Sequence, residues 1–269
     1  MSVKTTIYKQ FDSLEVKESK FSVFNLPEHF HETYCIGLLS NGIKECTIEN
    51  SETIVHSNSI SILNPYQVHS DKNIDTSECN YKMIYVNKDV VDYFGNKLTG
   101  KKEILFTNDL LTDPTIVKKV ETFFDENQND SSLNQNLSNL IESLILNGNH
   151  IQLQDNKNLD SKNALEDCIE KARLNFAEKI DIEKMATECK LSKFQFIRYF
   201  KKKTGITPAS YILIQRINFA KNLFLNNVPI GQAALEAGFY DHAQFCKFFK
   251  YYTNTSPSDY KQSCNIVQA

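Results

Sequence analysis

Two rhythms of apolar residues divide this chain. Up to residue 86 the apolar positions come in short or alternating runs, at 33–39, 44–48, 59–63 and 81–86, separated by Asn41-Gly42 and Asn64-Pro65. Alternation with period two, broken by turn formers, predicts short strands, and several in close succession predict a small antiparallel barrel or sandwich. Asn87 then stands where a helix N-cap belongs, ahead of a helix over 88–94. After Pro114 the rhythm changes: Leu133, Leu137, Leu140 and Leu144 step by four, three and four, which places them on one helical face. A polar, Asn- and Asp-rich stretch over 148–163 reads as a linker, and from 164 onward the pattern is helical, punctuated by Gly205, Pro208, Pro229, Gly238 and Pro257. The expected organisation is α+β: a β-rich domain over 1–150, a linker over 151–163 and an all-α domain over 164–264.

Within the helical half one pattern occurs twice, 49 residues apart. Phe196, Arg198, Phe200, Lys201, Thr204, Gly205, Pro208 and Tyr211 are followed by Phe245, Lys247, Phe249, Lys250, Thr253, Asn254, Pro257 and Tyr260. In each copy a short helix carries a small residue, Ala186 or Ala234, where two helices cross. A capping residue, Ser192 or Asp241, then opens a second helix. In the second copy Ala234 and Gly238 stand four apart, as a tight crossing requires. Spacing of i, i+4 buries Phe196 with Phe200 and Phe245 with Phe249. It leaves Lys193, Phe194, Ile197, Arg198, Lys201 and Lys202 outward on the first helix, and His242, Ala243, Cys246, Lys247 and Lys250 outward on the second. Asn254 replaces Gly205 where the chain turns through positive φ. Two helix-turn-helix units with repeated outward cations predict two reading heads on double-stranded DNA. A plain helical bundle would need neither the repeated cations nor the repeated caps. Lys201-Lys202-Lys203, at the end of the first such helix, suits phosphate contact and helix-dipole complementation alike.

Thr207-Pro208 opens a further helix running to about Asn226, roughly 28 Å long at 1.5 Å per residue. That length suits a rigid spacer holding two heads about one duplex turn, roughly 34 Å, apart. Such a spacer would also let one head survive the unfolding of the other.

Charge sharpens the division. The formal net charge is −3. From Ser161 onward there are 16 Lys and Arg against 10 Asp and Glu, whereas the preceding part has 14 against 23. A basic half joined to an acidic half fits a DNA-contacting domain tethered to one with another task. The seven cysteines include no Cys-x-x-Cys pair, no signal-like segment opens the chain, and no stretch approaches 18 apolar residues. The expectation is a cytoplasmic protein with reduced thiols and no membrane association.

The run Arg216-Ile217-x-Phe219-Ala220-x-x-Leu223, then Ile230 with Ala234, then Gly238-Phe239-x-Asp241-x-x-x-Phe245-x-Lys247-x-Phe249-Lys250 and Thr255-Ser256-Pro257-x-x-Tyr260 resembles the AraC/XylS-type family of bacterial transcription regulators. The resemblance covers about 100 residues. It departs where Lys247 replaces a usual Arg, Ala243 a usual Ser and Lys190 a usual small residue. Lysine lacks the bidentate fork that reads guanine, so the second head grips phosphate more than it reads bases.

His29-x-His31, with Asn64-Pro65-x-x-x-His69, resembles the cupin-like sensor domain that precedes many DNA-binding domains of this family. The same spacing suits a metal site, but metal cupins carry Glu four residues after the second His, where this chain has Cys35. Three readings stay open: metal ligands, polar groups of an effector pocket with Tyr34 and Tyr85, or histidines satisfied within the core. The expectation is no metal and no cofactor. The stripe Leu133, Leu137, Leu140, Leu144 is either a homodimer helix, as the resemblance implies, or a face packed on the barrel.

The reading that results is a sequence-specific transcription regulator without catalytic activity. A cupin-like β-barrel for an unknown small-molecule effector would precede a double helix-turn-helix, and the resemblance implies activation through RNA polymerase. A metal-dependent cupin enzyme fused to a DNA-binding domain is the alternative. A DNA-bending protein would lack a sensor barrel.

Overall fold

The protein is described from a computed structural model. It covers residues 2–8, 14–21, 23–49, 51–74, 78–101, 103–107, 109–124, 130–147, 151–152 and 164–267. The linker expected over 151–163 lies outside these residues except at its first two positions.

Nine strands come first: β1 (Ser2–Tyr8), β2 (Leu14–Phe21), β3 (Asn25–His29), β4 (Tyr34–Asn41), β5 (Ile43–Ile48), β6 (Ser51–His56), β7 (Ser59–Leu63), β8 (His69–Asn73) and β9 (Cys79–Val86). Helix α1 (Lys88–Thr99), strands β10 (Leu105–Phe106) and β11 (Leu110–Leu111), helices α2 (Pro114–Phe124) and α3 (Asp130–Asn147), and strand β12 (Ile151–Gln152) complete the first unit. Seven helices follow: α4 (Ala164–Leu174), α5 (Ile182–Glu188), α6 (Lys193–Thr204), α7 (Pro208–Leu225), α8 (Ile230–Glu236), α9 (His242–Thr253) and α10 (Pro257–Ser263). Strand β13 (Cys264–Val267) ends the described chain.

The expected barrel is instead two facing sheets. One has the order β11-β7-β4-β9-β2-β1-β13, and the other β3-β8-β5-β6. Alternation along β4 sorts its residues. Cys35 and Leu39 face the smaller sheet and pack with Cys46, Val55 and Met83. Tyr34, Ile36 and Leu38 face the other way, under α1, α2 and α3. A sheet covered on both faces needs near-continuous apolar strands, and β4 is buried over six successive residues. Gly37 is required on the interior face, because a Cβ there would lie 2.0 Å from the Tyr81 hydroxyl.

The leucine stripe of α3 is buried in this same core. Leu133, Leu137, Leu140 and Leu144 are each at most 6% exposed and pack with Val91, Ile116 and Val120. The stripe is therefore unavailable to a second copy, and the homodimer reading of these leucines is corrected to internal packing.

The helical half has one continuous core, not two joined by an exposed spacer. Helix α7 buries Tyr211, Ile214, Ile217, Ala220 and Phe224. Tyr211 meets Phe200 at 5.6 Å between ring centroids, and Phe224 meets Phe249 at 5.8 Å, so both copies pack on one helix. Arg216 is buried too. Its guanidinium donates to the carbonyls of Phe176 and Glu178, each at 2.7 Å, and lies over the Phe239 ring. This tethers the segment after α4 to the second copy.

Candidate nucleic-acid interface and effector site

Both copies repeat in hydrogen-bond detail. Ser192 accepts from the Gln195 N–H while the Gln195 side chain accepts from the Ser192 N–H, a capping box that starts α6. Asp241 accepts from the Gln244 N–H at 2.7 Å and starts α9. At the far ends Gly205 (φ 85°) and Asn254 (φ 57°) turn the chain through the left-handed region, and Thr204 and Thr253 donate to Phe200 and Phe249.

The repeat is not exact. Helices α5 and α8 are offset by 48 residues, whereas α6 and α9 are offset by 49. The second turn therefore holds one more residue. Lys190 (φ 56°) and Gly238 (φ 82°) are the matching left-handed positions, and Tyr240 is the insertion. Gly238 thus belongs to the turn, not to the helix crossing expected for it. A Cβ there would lie 2.2 Å from the Ala177 carbonyl oxygen.

The outward face of α6 is as expected. Phe196 and Phe200 are fully buried, and Lys193, Phe194, Arg198, Lys201 and Lys202 are exposed, with Ile197 half-buried. Phe194 is 83% exposed, so it does not pack on a neighbouring helix. On α9, Phe245 and Phe249 are buried, His242, Ala243, Lys247 and Lys250 are exposed, and Cys246 is half-buried. Tyr240, 91% exposed beside the start of α9, was missed by the 49-residue alignment because an insertion has no counterpart to reveal it. Two of the outward lysines are engaged: Lys193 is 3.0 Å from Glu183, and Lys201 is 3.8 Å from Glu28 of β3.

The β-rich unit meets the helical unit through several residues. Phe30 and Val68 belong to the core of the helical unit, with Phe30 4.9 Å from Tyr211. Glu15 accepts from the Tyr260 hydroxyl at 3.1 Å and lies 3.7 Å from the Lys221 ammonium. Strand β13 returns to pair in parallel with β1. Between the units lies a cleft of about 800 Å³, lined by Glu15, His31, Tyr85, Arg173, Asn218 and Lys221 among others. The Asn218 amide nitrogen is buried there with no hydrogen-bond partner.

A smaller cavity of about 50 Å³ sits inside the sandwich and brings His29, His31, His69 and Tyr85 together with Lys17 and Lys44. Burial strips the imidazoles of solvent and lowers their pKa values, that of His29 to about 3 with the neighbouring His69 adding to the effect. Asp71 is held down at about 2 against its own burial by the Lys44 ammonium, 2.7 Å away. Burial, then Lys221, lowers Lys17 to about 8. Tyr34 is not part of this cavity. It points to the opposite face of β4, where its hydroxyl donates to the Ile104 carbonyl, so its assignment to a ligand pocket is corrected. Adjacent strand residues face opposite ways, and Tyr34 could not share a pocket with residues on Cys35's side.

None of the seven cysteines is in a disulfide, and no described helix is long and apolar enough to cross a membrane.

Comparison with known proteins assigns both units. Residues 13–161 match the family described as AraC-like ligand binding domain, and residues 185–263 match the family described as helix-turn-helix domain. The chain is 26% identical over 237 residues to the uncharacterized HTH-type transcriptional regulator YbfI of Bacillus subtilis, covering 86% of this chain and 85% of the relative. It is 26% identical over 257 residues to the probable transcriptional regulator LumQ of Photobacterium leiognathi, covering 92% and 98%. Among solved structures it is similar in fold to ToxT from Vibrio cholerae O395, with a TM-score of 0.62, 18% identity, and coverage of 94% and 98%. ToxT has also been solved bound to an unsaturated fatty acid, a structure 17% identical to this chain with a TM-score of 0.60 and coverage of 92% and 94%.

Proposed function

The chain belongs to the AraC family of helix-turn-helix transcription regulators, and on that premise we propose that α6 and α9 read two neighbouring major-groove segments of one operator in response to a small-molecule effector. The observation that carries this reading is the outward face of α6, where Phe194 and Arg198 stand exposed above the buried Phe196 and Phe200. Arg198 reads a guanine edge, Phe194 meets a thymine methyl, and Lys202 grips phosphate. Helix α9 contributes His242, Lys247 and Lys250, a set weighted toward phosphate contact.

The effector belongs in the cleft between the units. Its volume is on the scale of small-molecule sites, whereas the inner cavity is far below it. Lys221, Arg173 and the unpartnered Asn218 amide are all donors, so they suit a molecule bearing acceptor oxygens, a carboxylate above all. Such an anion competes with Glu15 for Lys221 and so weakens one contact between the units. Regulation takes place in the cytoplasm, on promoter DNA, through contact with RNA polymerase. Any pairing of two copies uses a surface other than the buried leucines of α3.

Arg198→Ala and Lys202→Ala separate reading from gripping. Arg198→Ala is expected to cost about 1–3 kcal/mol on the specific site and little on random DNA. Lys202→Ala is expected to weaken both nearly equally and to lower the salt dependence by about one unit. Indistinguishable behaviour of the two variants on random and specific DNA overturns the proposal.

A further inference from the structure

His29 and His69 are register partners on β3 and β8, and His31 lies two residues beyond the first. One ring nitrogen from each of the three residues lies within 4.8 Å of those of the other two. Two of the rings are already oriented. His29 Nδ1 donates to the Pro27 carbonyl at 2.8 Å, and His69 Nδ1 donates to the Gln67 carbonyl at 3.0 Å. A neutral imidazole whose Nδ1–H is used in this way carries its lone pair on Nε2. A backbone carbonyl fixing the far nitrogen is also the usual support for a metal-bound histidine. Bonds of about 2.0–2.1 Å in a tetrahedral site put the nitrogens about 3.3 Å apart, so closing the set from separations of up to 4.8 Å draws together the strands that carry the rings. The cavity beside them, about 50 Å³, has room for an ion with a few waters but not for an organic effector.

We infer that His29, His31 and His69 form a three-imidazole site for a divalent transition-metal ion, and that its occupation is transmitted to the DNA-binding unit through Phe30 and Val68. Neutral imidazoles select zinc, copper, nickel, cobalt or iron over magnesium or calcium. Cys35, at the position where the sequence lacks the expected Glu, is no substitute ligand. It is buried with its thiol on the Thr33 carbonyl. The fourth position is left to water or an incoming donor.

The transmission follows from the order of residues. Phe30 lies between His29 and His31, and Val68 directly precedes His69. Both side chains are seated in the core of the helical unit. Val68 methyl carbons would lie 3.1–3.5 Å from a Cβ at Gly205, the residue that caps α6. Drawing the three imidazoles together therefore moves backbone that is wedged against the first helix-turn-helix. The effect on DNA rests on the regulator reading above; the metal site does not.

The test uses the full chain, stripped with chelator and titrated with Co²⁺ alone, then with Zn²⁺ as competitor. One equivalent should produce the visible bands of a low-coordinate cobalt–imidazole centre, and His31→Gln and His69→Gln should each weaken binding at least about tenfold. In the wild-type chain, ring-nitrogen NMR shifts of three of the six histidines should move with Zn²⁺, which decides the site even if a variant fails to fold. Zn²⁺ should change the Kd for specific DNA at least about fivefold, a coupling of ordinary size. Absence of binding, binding indifferent to both variants, or shifts on other histidines overturns the site. An unchanged Kd overturns the transmission. A chain that binds no DNA even without metal refutes the regulator reading, and the cobalt titration still decides the site.

Discussion

Lys201, on the outward face of α6, lies 3.8 Å from Glu28 on strand β3 of the β-rich unit. A cation proposed to contact phosphate is thereby shared with a carboxylate of the β-rich unit. The pair is half-exposed at both ends, so solvent screens it and its contribution is under about 1 kcal/mol. Glu28→Gln should accordingly raise affinity for DNA by a few-fold at low salt, with the gain fading as salt rises. Equilibrium binding at two salt concentrations checks this, and a loss of affinity would show that Glu28 supports the interface instead of competing for Lys201.

The single core of the helical unit changes what a core truncation does. Phe245 is fully buried and touches Phe224, Phe239 and Phe249. Phe245→Ala should cost about 3–5 kcal/mol, and it should destabilise both copies together because α7 joins them. Amide exchange would register loss of protection in α6 as well as α9. Retained protection in α6 alone would restore the independent-subdomain picture that the sequence suggested.

How much of this could be read beforehand depends on which interactions are local. Caps, buried phenylalanine pairs and outward cations follow from spacing within one helix, and Ser192, Asp241, Phe196 and Phe245 stand where the pattern placed them. Several polar strands were not legible. Lys17, Glu18 and Lys20 of β2 and Glu52 and His56 of β6 give polar strands with little apolar signature, and β13 owes its state to pairing with the distant β1. The pocket was half-legible. Three histidines and Tyr85 converge, but only strand pairing shows that Tyr34 faces away. Lys221, from the other unit, carried no sequence signal for a cleft.

Acid should loosen the sensor unit in a defined window. His29 has its folded pKa lowered from 6.5 to about 3, so below 6.5 the unfolded chain takes up a proton that the folded chain refuses. Stability contributed by the neutral ring is complete above 6.5 and is lost as pH falls toward 3. The slope is about 1.4 kcal/mol per pH unit for each such histidine. His69, Asp71 and Lys221 act on the same ring, and Asp71 adds its own loss between 3.8 and about 2. Denaturant unfolding in chelator across pH 3 to 7 measures this. A flat profile between 4 and 6.5 would contradict burial of neutral imidazoles.

Phe194, exposed beside Arg198, has one apolar partner in B-DNA, the thymine C5-methyl group. Replacing each thymine of the bound site by uracil removes that methyl and nothing else. One position in the half-site read by α6 should weaken binding measurably in the wild type and have no effect in Phe194→Ala. Uniform indifference to uracil would leave Phe194 without a role in reading.

In the proposed mode, two helices held by one core read one operator. Selection of bound sequences from a random pool, followed by base-by-base interference mapping on the winning site, tests it most directly. Two protected major-groove segments are expected on one face of the duplex, centred about one helical turn or 10 base pairs apart, with the α6 segment the more stringent. A single protected segment, or a pool that enriches no sequence at all, would contradict it.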